Sequence, residues 1–196
     1  MSNSEQWRVF CAIDIPNEVR GKIDQHIAEL KRLVPDSGAS WTRTENMHLT
    51  LKFMGNVPKL SVEKLSKAAA RAVSNEAAFE IVARGAGSFP QSGQPRVPWI
   101  GLEDIAGKLA ELHARLEAEA FEEGFAREER AFHPHLTVAR LRKPHHARAL
   151  ATEHKTLGFE PVAIRVGELS VIRSELHPKG SRYTLVSRHE LQNREV

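Results

Sequence analysis

The tripeptide His-Leu-Thr occurs twice in this chain, at residues 48–50 and 135–137, each time inside an otherwise apolar stretch. Apolar and polar residues alternate around both copies, a pattern that predicts a β-strand. Multiplying residue frequencies gives only ~0.06 chance occurrences of histidine, an apolar residue, threonine and a second apolar residue in that order. The two copies therefore indicate a shared role, and they constrain where their strands must lie in the fold.

The elements around both copies follow one order: a helix, the His-Leu-Thr strand, a helix, a long strand, a turn and a final strand. Apolar residues at helical spacing predict the helices, over 17–34, 60–74, 104–124 and 144–157. We therefore expect an α+β fold with two pseudo-symmetric lobes, each an antiparallel sheet flanked by helices. The active-site cleft would lie between the lobes, and residues 1–196 would form a single bilobal domain.

The composition, with 41% hydrophobic residues, allows a substantial core. No apolar stretch reaches the ~18–20 residues that a membrane span needs, and the first residues lack the basic and apolar regions of a secretory signal. The single cysteine, Cys11, rules out an intrachain disulfide framework and suits a reducing compartment. The sequence therefore predicts a cytoplasmic protein.

The formal net charge is +3, which is compatible with a polyanionic partner but does not require one. Basic residues cluster around the second His-Leu-Thr: Arg127, Arg130, Arg140, Arg142, Lys143 and Arg148. A run of this kind is more often a solvated face than a binding surface. Charge alone therefore does not identify the partner.

Strand geometry indicates what the two copies can do, because side chains alternate between the two faces of a strand. His48, Thr50 and Lys52 are expected on one face, while the other face enters the core with Met47, Leu49, Leu51 and Phe53. In the second strand His135 and Thr137 are expected to project together. If the lobes face each other, two imidazoles and two hydroxyls border one cleft.

Two histidines with pKa values near neutrality can act as a base and an acid in the same reaction. In-line displacement at phosphorus needs both, one for the attacking oxygen and one for the leaving oxygen. Threonine hydroxyls and a cation, either Lys52 or Arg140, could bind the non-bridging oxygens. The pattern predicts a metal-independent phosphoesterase, for which a strained 2′,3′-cyclic phosphate is a natural substrate.

The paired "HLTL" and "HLTVAR" resemble the signature of the two-histidine (2H) phosphoesterase superfamily. More narrowly, the chain is similar to bacterial RNA 2′,3′-cyclic phosphodiesterases, also called 2′-5′ RNA ligases. Further matching stretches cover almost the whole chain: "RVFCAIDIP", Trp41 followed by "HLTLKFMG", "FPQSGQPRVPWIGL" and "SVIRSELHPKGSRYTLV". The resemblance implies a bilobal fold with one motif per lobe and hydrolysis of RNA cyclic phosphate ends to 2′-phosphomonoesters. It also implies that 2′-5′ RNA linkages can be joined or cleaved reversibly.

The resemblance further implies individual roles. His48 would donate a proton to the leaving oxygen, and His135 would accept one from water. Thr50 and Thr137 would bind the phosphate, together with the arginine that often follows the second motif, here Arg140. In a regular strand Arg140 points away from His135, so its side chain reaches the site only if the strand bulges or ends there. Lys52 is expected on the same face of its strand as His48, but the resemblance gives it weaker support than Arg140.

Other interpretations remain open for several residues. His133 could form a zinc site with His145 or His146, but no carboxylate or thiolate lies at a useful spacing, so we expect no metal or other cofactor. Four aromatic residues could stack on an RNA base: Trp41, Phe53, Trp99 and Tyr183. Core packing is the default expectation for Phe53 and Trp99. The alternative functions are the same chemistry on 2′-5′ oligonucleotides or small cyclic nucleotides, and RNA-end binding without catalysis.

Overall fold

The computed structural model describes residues 5–142, 146–178 and 180–193. These residues form four α-helices and ten strands. The helices are α1 (Asn17–Leu33), α2 (Val62–Val73), α3 (Lys108–Glu122) and α4 (Ala147–Leu157). The strands are β1 (Gln6–Asp14), β2 (Ala39–Trp41), β3 (His48–Pro58), β4 (Phe79–Phe89), β5 (Val97–Glu103), β6 (His135–Thr137), β7 (Ala139–Leu141), β8 (Val162–Val166), β9 (Glu168–His177) and β10 (Gly180–Glu190). No helix in this part of the chain is long and apolar enough to cross a membrane.

Two four-stranded antiparallel sheets form the lobes, with strand orders β10-β9-β1-β3 and β6-β5-β4-β8. Each His-Leu-Thr strand is an edge strand, β3 in the first sheet and β6 in the second. Each pairs with the strand that precedes a helix, β1 before α1 and β5 before α3. The predicted α+β fold with two lobes and one motif in each is confirmed.

The two halves of the chain exchange their long antiparallel strands, a feature that the order of elements did not reveal. Strands β4 and β5 follow the first motif but belong to the sheet of the second. Strands β9 and β10 follow the second motif but belong to the sheet of the first. The chain therefore passes from lobe to lobe and back, and the buried residues of both lobes form one continuous apolar cluster.

The helices bury the apolar stripes that their spacing predicts. In α1 the residues Val19, Ile23, Ile27 and Leu30 are all buried. The third helix begins later than expected, because Gly107 adopts a left-handed φ of 72° and the Asp104 carboxylate accepts a hydrogen bond from the Ala110 N–H at 3.0 Å. Ile105 therefore lies in the turn before α3, 87% exposed, rather than on its buried face.

A bulge in β3 breaks the regular alternation of its side chains. Opposite β1, Thr50 pairs with Ala12 and Lys52 pairs with Cys11, which leaves Leu51 as an extra residue. Leu51 and Lys52 are consequently both buried, at 4% exposure each, whereas Phe53 is 46% exposed. The predictions that Lys52 shares a face with His48 and that Phe53 packs in the core are both wrong, for this reason.

Candidate active site

The two His-Leu-Thr strands meet at a small pocket of about 170 Å³ between the lobes. Its lining includes both histidines, both threonines and Arg140, together with Thr42, Asn46, Met47 and Tyr183. Five of the six residues singled out from the sequence are thus brought together, and Lys52 is the exception. The two edge strands belong to different sheets, so the site forms only where the lobes meet and neither lobe contains it alone.

Each histidine is held by a carbonyl of its own chain segment. The His48 Nδ1 atom lies 2.9 Å from the Asn46 carbonyl oxygen, and the His135 Nδ1 atom lies 2.7 Å from the His133 carbonyl oxygen. Because a carbonyl only accepts hydrogen bonds, Nδ1 must carry the proton in both rings. The Nε2 atom of each neutral imidazole therefore has an available lone pair and can exchange a proton with a bound substrate.

Aromatic rings fix the orientation of both imidazoles. His48 stacks on Phe10 with ring centroids 4.5 Å apart, and the Tyr183 ring meets it edge-on at 5.2 Å. His135 meets the Phe89 ring edge-on at 5.1 Å. Phe10 and Phe89 were not identified from the sequence, because nothing local in their strands marks them as neighbours of a distant histidine.

The surroundings of both histidines lower their pKa. Burial lowers the pKa of His48 from 6.5 to about 4, opposed by the Asn46 carbonyl and the Asp14 carboxylate. Burial also lowers the pKa of His135, opposed by the His133 carbonyl and reinforced by the positive charge of Arg140. Both imidazoles are therefore neutral at pH 7 when no anion occupies the pocket.

Arg140 reaches the pocket because the strand changes partner at Val138. The Val138 N–H donates to the Pro98 carbonyl at 2.9 Å, while the Val138 carbonyl accepts from the Thr42 N–H at 2.9 Å. Before this residue the strand pairs with β5, and after it β7 pairs with β2. Val138 and Ala139 are both fully buried, so the alternation shifts by one residue and Arg140 faces the same side as His135.

Lys52 lies outside the pocket. Its ammonium group is directed to the far side of β3, where it binds both carboxylate oxygens of Glu117, at 2.8 and 2.7 Å, and the Ala126 carbonyl at 2.8 Å. The bulge at Leu51 turns the side chain away from the face of His48. The expectation that Lys52 faces the site is therefore wrong. Of the two cations considered, Arg140 is the one that lines the pocket.

The other described basic residues near the second motif lie outside the pocket and make separate contacts. The Arg127 guanidinium lies 4.4 Å from the centroid of the Phe121 ring, and Arg130 pairs with Glu128 at 2.8 Å. Arg142 lines a neighbouring groove that also contains Trp41 and shares Tyr183 with the pocket. Arg148 is exposed on α4 and Lys143 lies outside the described residues.

The alternative zinc site finds no support in the geometry. His133 is exposed, His146 precedes α4 with a φ of 66°, and His145 lies outside the described residues. Within the described ranges, no three His, Cys, Asp or Glu side chains come close enough together to hold a metal ion. Of the aromatic candidates, Trp99 packs on Phe89 with centroids 5.5 Å apart, while Tyr183 alone lines the pocket itself.

Asn46 and Thr42 also line the pocket, although neither is among the site residues predicted from the sequence. Asn46 precedes His48 by two residues, as His133 precedes His135, and in both cases the carbonyl orients the ring. The equal spacing of two residues before each histidine is present in the sequence and could have identified Asn46. Thr42 has no such signal, because only the pairing of β2 with β7 brings it to the site.

A family model, curated relatives and solved structures all relate this chain to the same group of proteins. A family model described as the 2′-5′ RNA ligase superfamily matches residues 20–178. An RNA 2′,3′-cyclic phosphodiesterase of Methanothermobacter thermautotrophicus is 35% identical over 178 residues, covering 90% of this chain and 95% of that protein. A crystal structure from Thermus thermophilus superimposes with a TM-score of 0.78 at 27% identity, covering 96% of this chain and 100% of that one. Escherichia coli LigT complexed with 3′-AMP gives a TM-score of 0.75 at 28% identity, with the same coverage.

Proposed function

This chain belongs to the 2′-5′ RNA ligase superfamily of two-histidine phosphoesterases, and we propose that it hydrolyses RNA 2′,3′-cyclic phosphate ends to 2′-phosphomonoesters without a metal ion. The observation that carries the proposal is the matched pair of imidazoles, His48 and His135, on one pocket of about 170 Å³. A relative that is 35% identical along nearly its whole length is named for this activity.

In the proposed reaction a water molecule attacks the cyclic phosphorus in line with the 3′ oxygen. The Nε2 atom of His135 takes a proton from the water as the new P–O bond forms. The Nε2 atom of protonated His48 gives a proton to the 3′ oxygen as the P–O3′ bond breaks. The products are a 2′-phosphomonoester and a free 3′-hydroxyl, and the two histidines finish in exchanged protonation states.

Two nearby charges act in the direction of this assignment, although burial remains the largest influence on both rings and lowers the pKa of His48 to about 4. The Asp14 carboxylate raises the pKa of His48, which suits a proton donor, although Arg20 partly opposes it. The Arg140 guanidinium lowers the pKa of His135, which suits a proton acceptor. A phosphate anion in the pocket adds negative charge beside both rings and raises the pKa of His48 further, so that the donor becomes protonated with substrate bound.

Thr50, Thr137 and Arg140 would bind the non-bridging phosphoryl oxygens. The hydroxyls lie on the same strand faces as the histidines, and the guanidinium supplies a positive charge and a planar set of donors. Donors that are already in place where negative charge develops stabilise the transition state without reorganisation. These five side chains would suffice for the chemistry, with no cofactor.

The test is hydrolysis of an oligoribonucleotide with a 2′,3′-cyclic phosphate end in the presence of EDTA. We expect a 2′-phosphate product, and a rate lower by ~10²–10⁴-fold in each of His48→Ala and His135→Ala. His189→Gln is the control, because this histidine lies between Ser66 and Ser187 outside the pocket. A 3′-phosphate product, or full activity in both alanine variants, would show that the proposal is wrong.

The same pair of histidines can serve this displacement with a different nucleophile, which the family name suggests. A 5′-hydroxyl of a second RNA would replace water as the nucleophile, with His135 accepting its proton. Incubation of a cyclic-phosphate RNA with a 5′-hydroxyl RNA should then yield some 2′-5′-linked product. The proposed partner is accordingly RNA, and the proposed compartment is the cytoplasm, where the buried thiol of Cys11 stays reduced.

A further inference from the structure

Lys52 is a buried cation with an unusually complete set of partners. Its residue is 4% exposed, and its ammonium has three oxygen atoms within 2.8 Å, two from Glu117 and one from the Ala126 carbonyl. Three acceptors satisfy all three N–H donors of a lysine. The side chain is therefore fixed in one geometry.

The partners of Lys52 lie in the stretch of chain between β5 and β6 of the second sheet, whose helix α3 packs on α2 and β3. Lys52 follows Thr50 by two residues in β3 of the first sheet. Glu117 lies in α3, which connects β5 and β6 of the second sheet, and Ala126 lies in the segment from α3 to β6. That segment runs directly into His135. The ion pair with Glu117 thus joins the strand that carries His48 to α3, and the hydrogen bond to Ala126 joins it to the segment that leads to His135.

Further contacts hold this segment to α3. The second carboxylate oxygen of Glu117 also accepts a hydrogen bond from the Glu128 N–H at 3.2 Å. Nearer the motif, Phe132 stacks on His113 of α3, with centroids 4.0 Å apart and planes 7° from parallel. Movement of Glu117 would therefore be transmitted along the segment toward His135.

We propose that Lys52 is a positioning residue that sets the separation of His48 and His135 across the pocket. The bulge at Leu51 is what allows this, because it directs Lys52 away from the pocket and toward Glu117. A buried ion pair is a weak source of stability, since its desolvation largely cancels its attraction, but it specifies one geometry. Proton transfer to and from phosphorus depends on such geometry, and a misplacement of about 1 Å can lower a rate by ~10²-fold.

The kinetic part of this inference rests on the proposed function. The test compares the parent enzyme with Lys52→Met and with the double variant Lys52→Met/Glu117→Leu. The single variant leaves the Glu117 carboxylate buried without its cation and can fail to fold. The double variant replaces both charges by apolar side chains of similar size, a change that proteins commonly tolerate.

For the double variant we expect a thermal unfolding midpoint close to that of the parent, a KM within about 3-fold and a kcat lower by ~10²-fold. Arg71→Gln is the matched control. Arg71 also forms ion pairs with α3, through Glu119 and Glu123, but it lies in α2 rather than in a motif strand and its side chain is 44% exposed. The control should retain the kcat and KM of the parent, because we expect the exposed ion pairs of Arg71 with α3 to have no effect on the positions of the histidines.

Crystal structures of parent and double variant with bound sulfate give a readout that needs no activity. We expect the distance between the two Nε2 atoms to change by more than ~0.5 Å, the tolerance of a preorganised site. If the parent does not hydrolyse cyclic phosphates, the proposed function fails, yet this distance still tests Lys52. An unchanged distance, or an unchanged kcat in an active parent, overturns the inference.

Discussion

The Nδ1 atoms of His48 and His135 each donate a hydrogen bond to the carbonyl two residues earlier in the chain, at 2.9 and 2.7 Å. The two rings are thus oriented by equivalent devices in the two lobes. Their electrostatic settings differ, because Asp14 lies near His48 and Arg140 near His135. The two rings therefore share an orientation but differ in their neighbouring charges.

Anion binding should be coupled to proton uptake. The pKa of His48 is about 4 in the empty pocket, so this ring is neutral at pH 6, and a bound dianion raises the pKa. Sulfate is the cleanest probe, because it does not itself titrate in this range. Calorimetry at pH 6 in buffers of different ionisation enthalpy should show proton uptake by the parent.

His48→Gln provides the comparison for this measurement, since glutamine cannot be protonated. Uptake should be markedly smaller in that variant. Sulfate affinity in the parent should weaken as the pH rises, because the protonated form of His48 is progressively lost. Equal proton uptake in the two proteins would contradict the role assigned to this ring.

Removal of the Arg140 charge should weaken binding of the phosphoryl group. We expect Arg140→Gln to lower sulfate affinity and kcat/KM by about 10–100-fold, the usual worth of a charged hydrogen bond. Arg140→Lys should recover only part of this, since it keeps the charge but loses the two-pronged geometry. Arg130→Gln serves as the control, because Arg130 is paired with Glu128 outside the pocket. Comparable losses in the control would mean that overall charge, rather than the site, governs binding.

Tyr183 should control the pKa of His48 through burial. Its ring covers the edge of the imidazole at a centroid distance of 5.2 Å, and burial is the main cause of the low pKa. Tyr183→Ala admits water and should move the pKa of His48 upward from about 4 toward its ordinary value. Tyr183→Phe keeps the ring and should leave the pKa nearly unchanged. An NMR titration of the His48 ring protons measures both, and identical titration curves for the two variants would refute the explanation by burial.

A second pair of histidines should make the stability of the fold pH-dependent. The His154 Nε2–H donates to the Trp99 carbonyl at 2.9 Å, so its Nδ1 atom accepts from the Nε2–H of His26 at 2.8 Å. Burial lowers the pKa of His26 to about 4 and also lowers that of His154. Between pH 4 and 6.5 the folded state therefore binds fewer protons than the unfolded state, and the free energy of unfolding must fall as the pH falls.

The His26 contribution to this loss should approach about 3 kcal/mol between pH 6.5 and pH 4, fully present only near the lower limit. His26→Gln preserves a donor toward His154 but cannot titrate, so its stability should depend less steeply on pH. Urea unfolding of both proteins at several pH values in this window makes the comparison. Parallel curves would show that His26 does not carry the effect.

The sequence by itself determined that His48 lies beside Thr50, and His135 beside Thr137, on one face of a strand. Histidine and threonine two positions apart in a strand must share a face, because that alternation follows from the covalent geometry of an extended chain. The buried stripe of α1 was predictable for the same kind of reason, since helical periodicity is local. Repetition of the motif then indicated that two such faces would meet.

Only the tertiary structure decided which strands pair and where the alternation breaks. The exchange of strands between the lobes, the bulge at Leu51 and the change of partner at Val138 depend on the free energy of packing against distant strands. The bulge sends Lys52 to Glu117, and the change of partner brings Arg140 to the pocket that both histidines line. The positions of both cations follow from register, which no local pattern specifies, and so the sequence left the choice between them open.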